Sequence, residues 1–281
     1  MGKFDGVLMA SDFDNTMAYT EGALRAGTPI PPLSAENRGA ILYFMEEGGT
    51  FSVVTGRSLP SFDQVRGDIP MNGPTVLFNG AAIYDFAQSK YLYTAFLPET
   101  IRSHVTEILE ALGPLTFKIY HDDNSMYVVN PNAVSAQRQH LTHEPARVLP
   151  SILQAPSPIL KVAFEEELEV QQRILDFMDT RPWRSGYEVV SSSNHLLEVT
   201  VHGADKGGMV QKLTELLHIS PRHVYAVGDH ANDIPMLRLA RQAFAPSNAI
   251  EAVRSLPGIR VLPHCRDNAI AAMIGALDAM Y

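Results

Sequence analysis

The sequence predicts an α/β protein with a doubly wound, largely parallel (Rossmann-like) sheet as its core and an inserted α+β cap domain. Both ends of the chain alternate short apolar runs with helical stretches, which is typical of parallel strands covered by helices on both faces. The middle of the chain instead has short strands paired around polar turns. We therefore predict a core formed by residues 1–81 and 201–281, and a cap formed by residues 82–200.

The composition is that of a globular protein with a packed interior. The chain has 281 residues, of which 46% are hydrophobic and 19% charged, and its net charge is −9. The acidic balance, without a block of Lys or Arg, argues against a nucleic-acid partner. The single cysteine, Cys265, excludes an intramolecular disulfide and fits a reducing compartment. We expect a cytoplasmic protein with no membrane partner, because no apolar run could span a bilayer and no signal peptide is evident.

The first predicted strand leads directly into two carboxylates. Residues 7–10 form an apolar run without alternation, as in a strand buried on both faces. Asp12 and Asp14 follow, and side chains two residues apart on an extended chain point the same way. Two adjacent carboxylates repel each other, so a metal ion, a shared proton or a catalytic role would explain their presence. The carboxyl ends of the strands are also where open α/β sheets bind ligands.

The rest of the first core segment reads as loop, helix and strand. After Thr16 we expect a polar loop, followed by a helix for which Ser34 is the N-cap. Strands are predicted at 50–54 and 75–78, with a short helix at 61–66. The tripeptide Thr55-Gly56-Arg57 therefore lies at the carboxyl end of a strand.

The inserted unit is predicted to contain hairpins and three helices. Strand pairs are expected at 82–85 with 91–96, at 115–120 with 126–130 and at 187–190 with 196–200, and a single strand at 159–164. Helices are expected at 98–112, 133–141 and 167–178.

The alternating pattern resumes after residue 200. Helices are predicted at 206–217, 234–241, 250–254 and 268–280, and strands at 223–227 and 243–245. Asp205 is placed to be the N-cap of the first of these helices. The segment GDHANDIPML, from Gly228 to Leu237, directly follows a predicted strand.

Four polar segments now share one location, after a core strand or at the start of the next helix. They are Asp12-Phe13-Asp14, Thr55-Gly56-Arg57, Lys206 and residues 229–233. The carboxylates offer oxygen ligands for a hard cation such as Mg²⁺, and the lysine offers a fixed positive charge. A phosphate held between such a cation and a lysine, with a carboxylate in line, is a phosphoryl-transfer site.

The order of these motifs resembles that of a known family. The chain resembles the haloacid-dehalogenase-like phosphohydrolase superfamily in the order of its motifs, which is DxDxT, then T-G-R, then Lys, then GDxxND. The position of the insert, with Asn79-Gly80-Ala81 and Leu197-Glu198-Val199, resembles its Cof-type sugar-phosphatase branch. The motifs lie on the core segments. The rest of the cap matches only in its size and in its mixture of hairpins and helices.

The resemblance implies a role for each motif residue. Asp12 would be the nucleophile and Asp14 the general acid and base. The Mg²⁺ ligands would be Asp12, Asp229 and the backbone carbonyl of Asp14. The phosphoryl oxygens would be held by the backbone of Phe13 and by Thr55, Gly56, Lys206 and Asn232. Asp233 would orient Lys206 or lie beyond the metal's own ligands.

The sequence departs from the family pattern at Asn15, where Gly is usual. Asn adopts left-handed backbone more readily than other residues with a side chain, so we expect the turn to survive. Outside the motifs, Trp183 is interpreted as a packing residue and residues 121–123 as a polar turn. The role of Arg57 stays open between a surface ion pair and a role in the site.

The resemblance implies Mg²⁺-dependent hydrolysis of a small phosphate monoester, with a sugar phosphate as the hypothesis for the substrate. Two alternatives remain. A response-regulator type of signalling module also has carboxylates, a hydroxyl and a lysine, but it is far shorter and has no cap. A non-catalytic phosphate- or metabolite-binding protein could have kept the fold and lost the chemistry. The sequence leaves the oligomeric state open.

Overall fold

The two ends of the chain form one five-stranded parallel sheet in the computed structural model, which describes residues 2–67, 69–142 and 145–281. In spatial order its strands are β14 (Arg260–Leu262), β13 (Gln242–Pro246), β12 (Val224–Val227), β1 (Leu8–Ser11) and β2 (Thr50–Val53). Every neighbouring pair is parallel. The strands that precede the predicted acidic motifs, β1 and β12, are therefore adjacent in the sheet, and their carboxyl ends meet.

Helices cover both faces of this sheet. They are α1 (Thr20–Ala26), α2 (Ala35–Glu46), α3 (Leu59–Arg66), α7 (Lys206–Leu217), α8 (Ile234–Leu239), α9 (Glu251–Arg254) and α10 (Ala269–Asp278). Met9 of β1 belongs to the apolar cluster that contains Phe44 of α2 and Ile274 of α10. Leu8, the preceding residue, belongs to the cluster that contains Leu213 of α7. Successive β1 side chains thus enter opposite layers, which confirms the doubly wound core.

A three-stranded antiparallel sheet continues from the core. It consists of β3 (Thr75–Leu77), β4 (Ala82–Asp85) and β5 (Lys90–Thr94). A single parallel bridge joins Val54 to Val76 and so connects β3 to the end of β2. Ile83 of the hairpin belongs to the same apolar cluster as Leu8. Where the core ends and the cap begins therefore stays a prediction.

The inserted segment forms a six-stranded, mostly antiparallel sheet. In spatial order its strands are β10 (Tyr187–Ser193), β11 (Leu196–Val201), β9 (Lys161–Phe164), β6 (Phe117–Tyr120), β7 (Met126–Val129) and β8 (Arg147–Leu149). Its helices are α4 (Ile101–Leu112), α5 (Ala133–Thr142) and α6 (Leu168–Asp179). This arrangement confirms the α+β character predicted for the insert.

The two faces of the six-stranded sheet have different neighbours. Val162 belongs to the apolar cluster that contains Ile108 of α4 and Ile174 of α6. Ala163, the next residue of β9, belongs instead to the cluster that contains Phe78 and the core. Because strand side chains alternate between faces, one face of the sheet packs on its own helices and the other faces the core.

Three elements differ from the prediction. The region after Thr16 contains helix α1, so the loop prediction was wrong there. The N–H of Glu21 in α1 donates to Oδ1 of Asn15 at 3.0 Å, and Arg25 pairs with Glu21 one turn away. Strands β8 and β14 were not predicted, because three-residue edge strands are too short to show a period.

Within the described ranges, no helix has both the length and the apolar character needed to cross a membrane.

Candidate functional site

The centre of the site is a buried lysine between two carboxylates. Nζ of Lys206 lies 2.6 Å from Oδ1 of Asp12 and 2.6 Å from Oδ1 of Asp233. Asp12 follows β1, where its N–H donates to the carbonyl of Val227 in β12. Lys206 is the first residue of α7, and Oδ1 of Asp205 accepts from the N–H of Gly208 at 2.7 Å. The predicted N-cap is therefore confirmed, and it fixes the start of the helix that delivers the lysine.

A third carboxylate completes an acidic cluster. Asp229 follows β12, and its Oδ1 accepts from the Thr16 hydroxyl at 3.2 Å. Carboxylate oxygens of Asp12, Asp229 and Asp233 lie within 4.8 Å of one another, and all three residues are buried. In the part of the chain that the structure describes, this is the one group of three such residues close enough to share a metal ion.

The hydrogen bonds of Asp233 distinguish it from the other two carboxylates. Its Oδ1 accepts from Lys206, and its Oδ2 accepts from the N–H groups of Asp229 and His230 at 2.9 and 3.0 Å. These bonds hold the loop after β12 against the lysine. Both oxygens of Asp233 therefore accept hydrogen bonds from the groups around it.

The electrostatics of the cluster show an excess of negative charge. Burial raises the pKa of Asp12 to about 7. The charge of Lys206 opposes this shift, and the carboxylates of Asp233 and Asp14 add to it. Burial and the neighbouring Asp12 raise the pKa of Asp229 well above its ordinary value. Burial alone would lower the pKa of Lys206, but its two carboxylate partners raise it. An all-oxygen, buried and electron-rich donor set fits a hard divalent cation.

Asp14 forms an ion pair with Arg57. Nε and Nη2 of Arg57 donate to the two carboxylate oxygens of Asp14 at 2.8 and 2.7 Å. The guanidinium lies over the Phe13 ring, 5.4 Å from its centre. Burial alone would raise the pKa of Asp14, but the charge and hydrogen bonds of Arg57 lower it. The role of Arg57, which the sequence left open, is thus an ion pair with a predicted site residue.

The predicted phosphate-binding groups Thr55 and Asn232 are connected through Asn79. The N–H of Asn79 donates to the carbonyl of Thr55 at 3.1 Å. Nδ2 of Asn232 donates to Oδ1 of Asn79 at 3.0 Å. Thr55 is fully buried, and its Oγ1 accepts from the N–H of Arg57 at 3.2 Å. The structure therefore links these two groups across the ends of different elements.

Asn15 adopts the left-handed backbone expected of it, with φ 56°. Its carbonyl accepts from Nδ2 of Asn248 at 2.7 Å, and its N–H donates to the carbonyl of Ala18. The turn after Asp14 is thus held from two sides.

The six-stranded sheet of the inserted segment, here called the cap sheet, supplies two residues whose contacts the sequence did not predict. Lys161 donates from Nζ to the carbonyl of Gly56 at 3.0 Å and forms an ion pair with Glu198. Glu198 in turn accepts from Nδ2 of Asn79 at 2.8 Å. The motifs around Asn79 and Glu198 had been noted for their resemblance, but no local signal marks Lys161 within its apolar strand.

Two residues outside the site follow the simpler interpretation. Trp183 stacks on His104 with ring centres 4.5 Å apart, and its Nε1 donates to Glu107. It is a packing residue, as predicted. Asp123 accepts from the N–H of Ser125 at 2.8 Å, which confirms a polar turn there.

The fold and the site are those of a capped α/β enzyme whose acidic, lysine-containing site lies at the carboxyl ends of central parallel strands. The chain belongs to the haloacid dehalogenase-like hydrolases, since the profile of that family matches residues 10–274. The family predicted from the four motifs is confirmed.

Known relatives match this chain at low identity. The chain is 25% identical over 261 residues to an Arabidopsis thaliana protein named as a chloroplastic endoribonuclease YBEY. That match covers 89% of this chain and 43% of the plant protein, so the chain spans less than half of that relative. It is 22% identical over 268 residues to a Bacillus subtilis 5-amino-6-(5-phospho-D-ribitylamino)uracil phosphatase, YwtE, covering 88% and 89% of the two chains.

A solved structure shares the whole architecture. It is a sugar phosphatase of subclass IIB of the superfamily, and it superimposes with a TM-score of 0.80 over 97% of this chain and 99% of that chain. The two sequences are 17% identical, so the likeness establishes a common fold, including the capped arrangement expected of the Cof-type branch.

Proposed function

We propose that the chain hydrolyses a small phosphate monoester, with Mg²⁺ as its cofactor, through an aspartyl-phosphate on Asp12. The observation that supports this most is the contact of Lys206 with both Asp12 and Asp233 beside Asp229. A nucleophilic carboxylate, a fixed cation and a metal-compatible carboxylate lie within one buried cluster. That set of groups matches the needs of phosphoryl transfer.

Asp12, Asp229 and the backbone carbonyl of Asp14 are the groups that would hold Mg²⁺. Bound there, the ion would neutralise the charge of the phosphoryl oxygens. Asp233 lies within reach of the same ion, but we assign it to positioning Lys206 and the loop after β12, because its oxygens accept from Lys206 and from two backbone N–H groups.

The residues of the chain account for both halves of the reaction. An oxygen of Asp12 forms a bond to phosphorus while the ester P–O bond breaks, and Asp14 protonates the leaving oxygen. A water molecule then attacks the aspartyl-phosphate as Asp14 takes up one of its protons, which releases phosphate and restores Asp12. The phosphoryl oxygens would be held by the backbone of Phe13 and by Thr55, Gly56, Lys206 and Asn232.

The ion pair with Arg57 bears on how Asp14 performs its two roles. While the pair is closed, the lowered pKa of Asp14 keeps it ionised, which suits the base that activates water. Protonating a leaving group requires the pair to loosen. An anionic ester is a partner that would draw the guanidinium away.

For the substrate we propose a sugar phosphate or a related metabolite, acted on in the cytoplasm without a nucleic-acid or membrane partner. The likeness to a subclass IIB sugar phosphatase and to a phosphatase of a ribityl phosphate supports a polyhydroxylated leaving group. The alternative is a protein that binds phosphates or metabolites without turnover, or one that signals.

The test is a panel of sugar, nucleotide and cofactor phosphates with wild type and Asp12→Asn, each with Mg²⁺ and with EDTA. We expect phosphate release by wild type only with Mg²⁺, and none by the variant. The exposed Asp176→Asn on α6 is the matched control and should behave as wild type. Silence of wild type across the panel, together with retained Mg²⁺ binding, would favour the binding protein.

A further inference from the structure

A buried ion pair lies on the face of the cap sheet that is turned toward the core. Lys161 of β9 and Glu198 of β11 are 2% and 3% exposed. Their strands are antiparallel neighbours, and Glu198 lies opposite Ala163, whose side chain belongs to the core cluster. Both charged side chains therefore stand on the sheet face that meets the core, and both have partners there.

The lysine fixes one peptide of the predicted phosphate loop. Its Nζ donates to the Gly56 carbonyl at 3.0 Å and lies 4.5 Å from the centre of the Tyr120 ring. The other end of the same peptide, the N–H of Arg57, donates to Oγ1 of Thr55 at 3.2 Å. This bond uses a lone pair of the hydroxyl oxygen. It leaves the hydroxyl hydrogen of Thr55 available to donate to another group.

The glutamate fixes the second predicted phosphate group. Its Oε2 accepts from Nδ2 of Asn79 at 2.8 Å, and Oδ1 of Asn79 accepts from Nδ2 of Asn232 at 3.0 Å. The Asn79 amide is thereby oriented by the cap carboxylate, and it orients the Asn232 amide in turn. A Cβ added to Gly56 would lie 3.5 Å from Oε2 of Glu198, which shows how close this carboxylate comes to the loop.

We propose that Lys161 and Glu198 are positioning residues, through which the cap sheet sets the geometry of Thr55 and Asn232 for a phosphate group. The inference rests on the proposed function and adds to it a dependence of phosphate binding on the cap. A core whose cap is displaced keeps Asp12 and Lys206 but loses the orientation of these two donors. Seating of the cap and binding of the phosphate are therefore coupled.

The first test compares two buried lysines of the same sheet. Lys161→Met removes the donor to Gly56, whereas Lys118→Met removes a lysine that pairs with Glu165, 3.2 Å away and equally buried. We expect Lys161→Met to lower kcat/KM for the best ester, and the affinity for inorganic phosphate by calorimetry with Mg²⁺, roughly 10- to 100-fold. Lys118→Met should leave both close to wild type. Lys161→Arg, which keeps a donor and the charge, should recover part of the loss.

The second test separates positioning from stability. Replacing a whole buried ion pair by apolar side chains of similar size is often neutral for stability. The double variant Lys161→Met, Glu198→Met should therefore regain the Tm lost by the single variants while its phosphate affinity stays low. Recovery of both Tm and phosphate affinity would show that the pair serves only to neutralise buried charge, and would overturn the inference.

Failure of the positioning role and failure of the proposed phosphatase function would give different experimental results. If wild type binds phosphate and hydrolyses esters while Lys161→Met matches Lys118→Met, the positioning role is wrong and the phosphatase stands. If wild type neither binds phosphate nor releases it from any ester, both are wrong.

Discussion

Core and cap each bury a lysine at their common site, but the charges around the two lysines differ. Lys206 of the core lies among Asp12, Asp229 and Asp233, which gives three carboxylates for one ammonium group. Lys161 of the cap has the single carboxylate Glu198 and a backbone carbonyl. A neutral buried pair can break even in free energy, whereas an excess of buried charge cannot. This difference in charge supports the proposals that the core site binds a cation with its substrate and that the cap pair positions the phosphate-binding groups.

In the comparison of the two lysines, the largest expected effect comes from removing the core lysine. Lys206→Met would leave Asp12 and Asp233 without a positive partner and the phosphoryl group without its fixed cation. We expect kcat/KM to fall on the order of 100- to 1,000-fold, the usual cost of one such electrostatic contact. The folded state should lose about 3–5 kcal/mol, because a broken buried pair leaves charge uncompensated.

Steady-state kinetics and denaturant unfolding measure these two losses. The matched variant is Lys161→Met, which should lose less activity because its partners carry no excess charge. Equal losses of activity in the two variants would contradict the distinction between the two lysines.

The next effect concerns metal and pH. Burial and neighbouring carboxylates raise the folded pKa of Asp12 from 3.8 to about 7, and that of Asp229 is raised in the same direction. The folded protein therefore binds more protons than the unfolded chain across this range, so without metal its stability falls as pH rises from about 4 to 7. Under the proposed function, Mg²⁺ binds the ionised carboxylates and so offsets that loss. The gain in Tm from Mg²⁺ over EDTA should be larger at about pH 8 than at about pH 5.5.

Two variants test whether the gain in Tm from Mg²⁺ comes from the acidic cluster of the core. Asp229→Asn removes one predicted metal ligand and should reduce the gain at the higher pH. Lys161→Met with Glu198→Met removes the neutral cap pair and should leave it intact. A gain that is the same at both pH values, or that depends on the cap pair, would show that the excess charge of the core is not what Mg²⁺ compensates.

The same contrast explains how much could be predicted from the sequence. The carboxyl ends of parallel strands meet at one edge of a sheet, so the strand pattern alone brought Asp12 and Asp229 together. The Lys161 contact with Gly56 joins residues 105 positions apart and depends on how the cap packs on the core. No local pattern carries that information. The bidentate pairing of Arg57 with Asp14 was likewise a matter of side-chain geometry.

The secondary structure shows the same distinction between elements that have a local sequence pattern and elements that depend on contacts with other parts of the chain. Strands with enough apolar residues to show a pattern were predicted to within a few positions, including β1, β9 and β12. Helix α1 was missed because Asn15, which lies before it in an irregular turn, supplies the bond to its first turn. Interactions that arise only after the chain has turned back on itself leave no periodic signal.

The smallest expected effect tests whether the core site depends on the identity of Asn15 or only on its backbone. Asn15 has φ 56°, and its backbone bonds to Asn248 and Ala18 use atoms that any residue has. Asn15→Gly keeps that conformation at no steric cost and loses only the side-chain bond to Glu21 at the start of α1. We expect turnover close to wild type and a loss of a few tenths to about 1 kcal/mol in the free energy of unfolding.

The control for this substitution is Asn15→Val, because a β-branched residue resists left-handed backbone at a cost of about 1–2 kcal/mol. That strain would act on the turn that aims Asp14, so Asn15→Val should lower kcat as well as stability, measured by the same kinetics and unfolding. The expected order, with Gly near wild type and Val impaired, would mean that the departure from the family pattern at this position is neutral. Turnover that rises clearly in Asn15→Gly would mean instead that the asparagine side chain restrains Asp14.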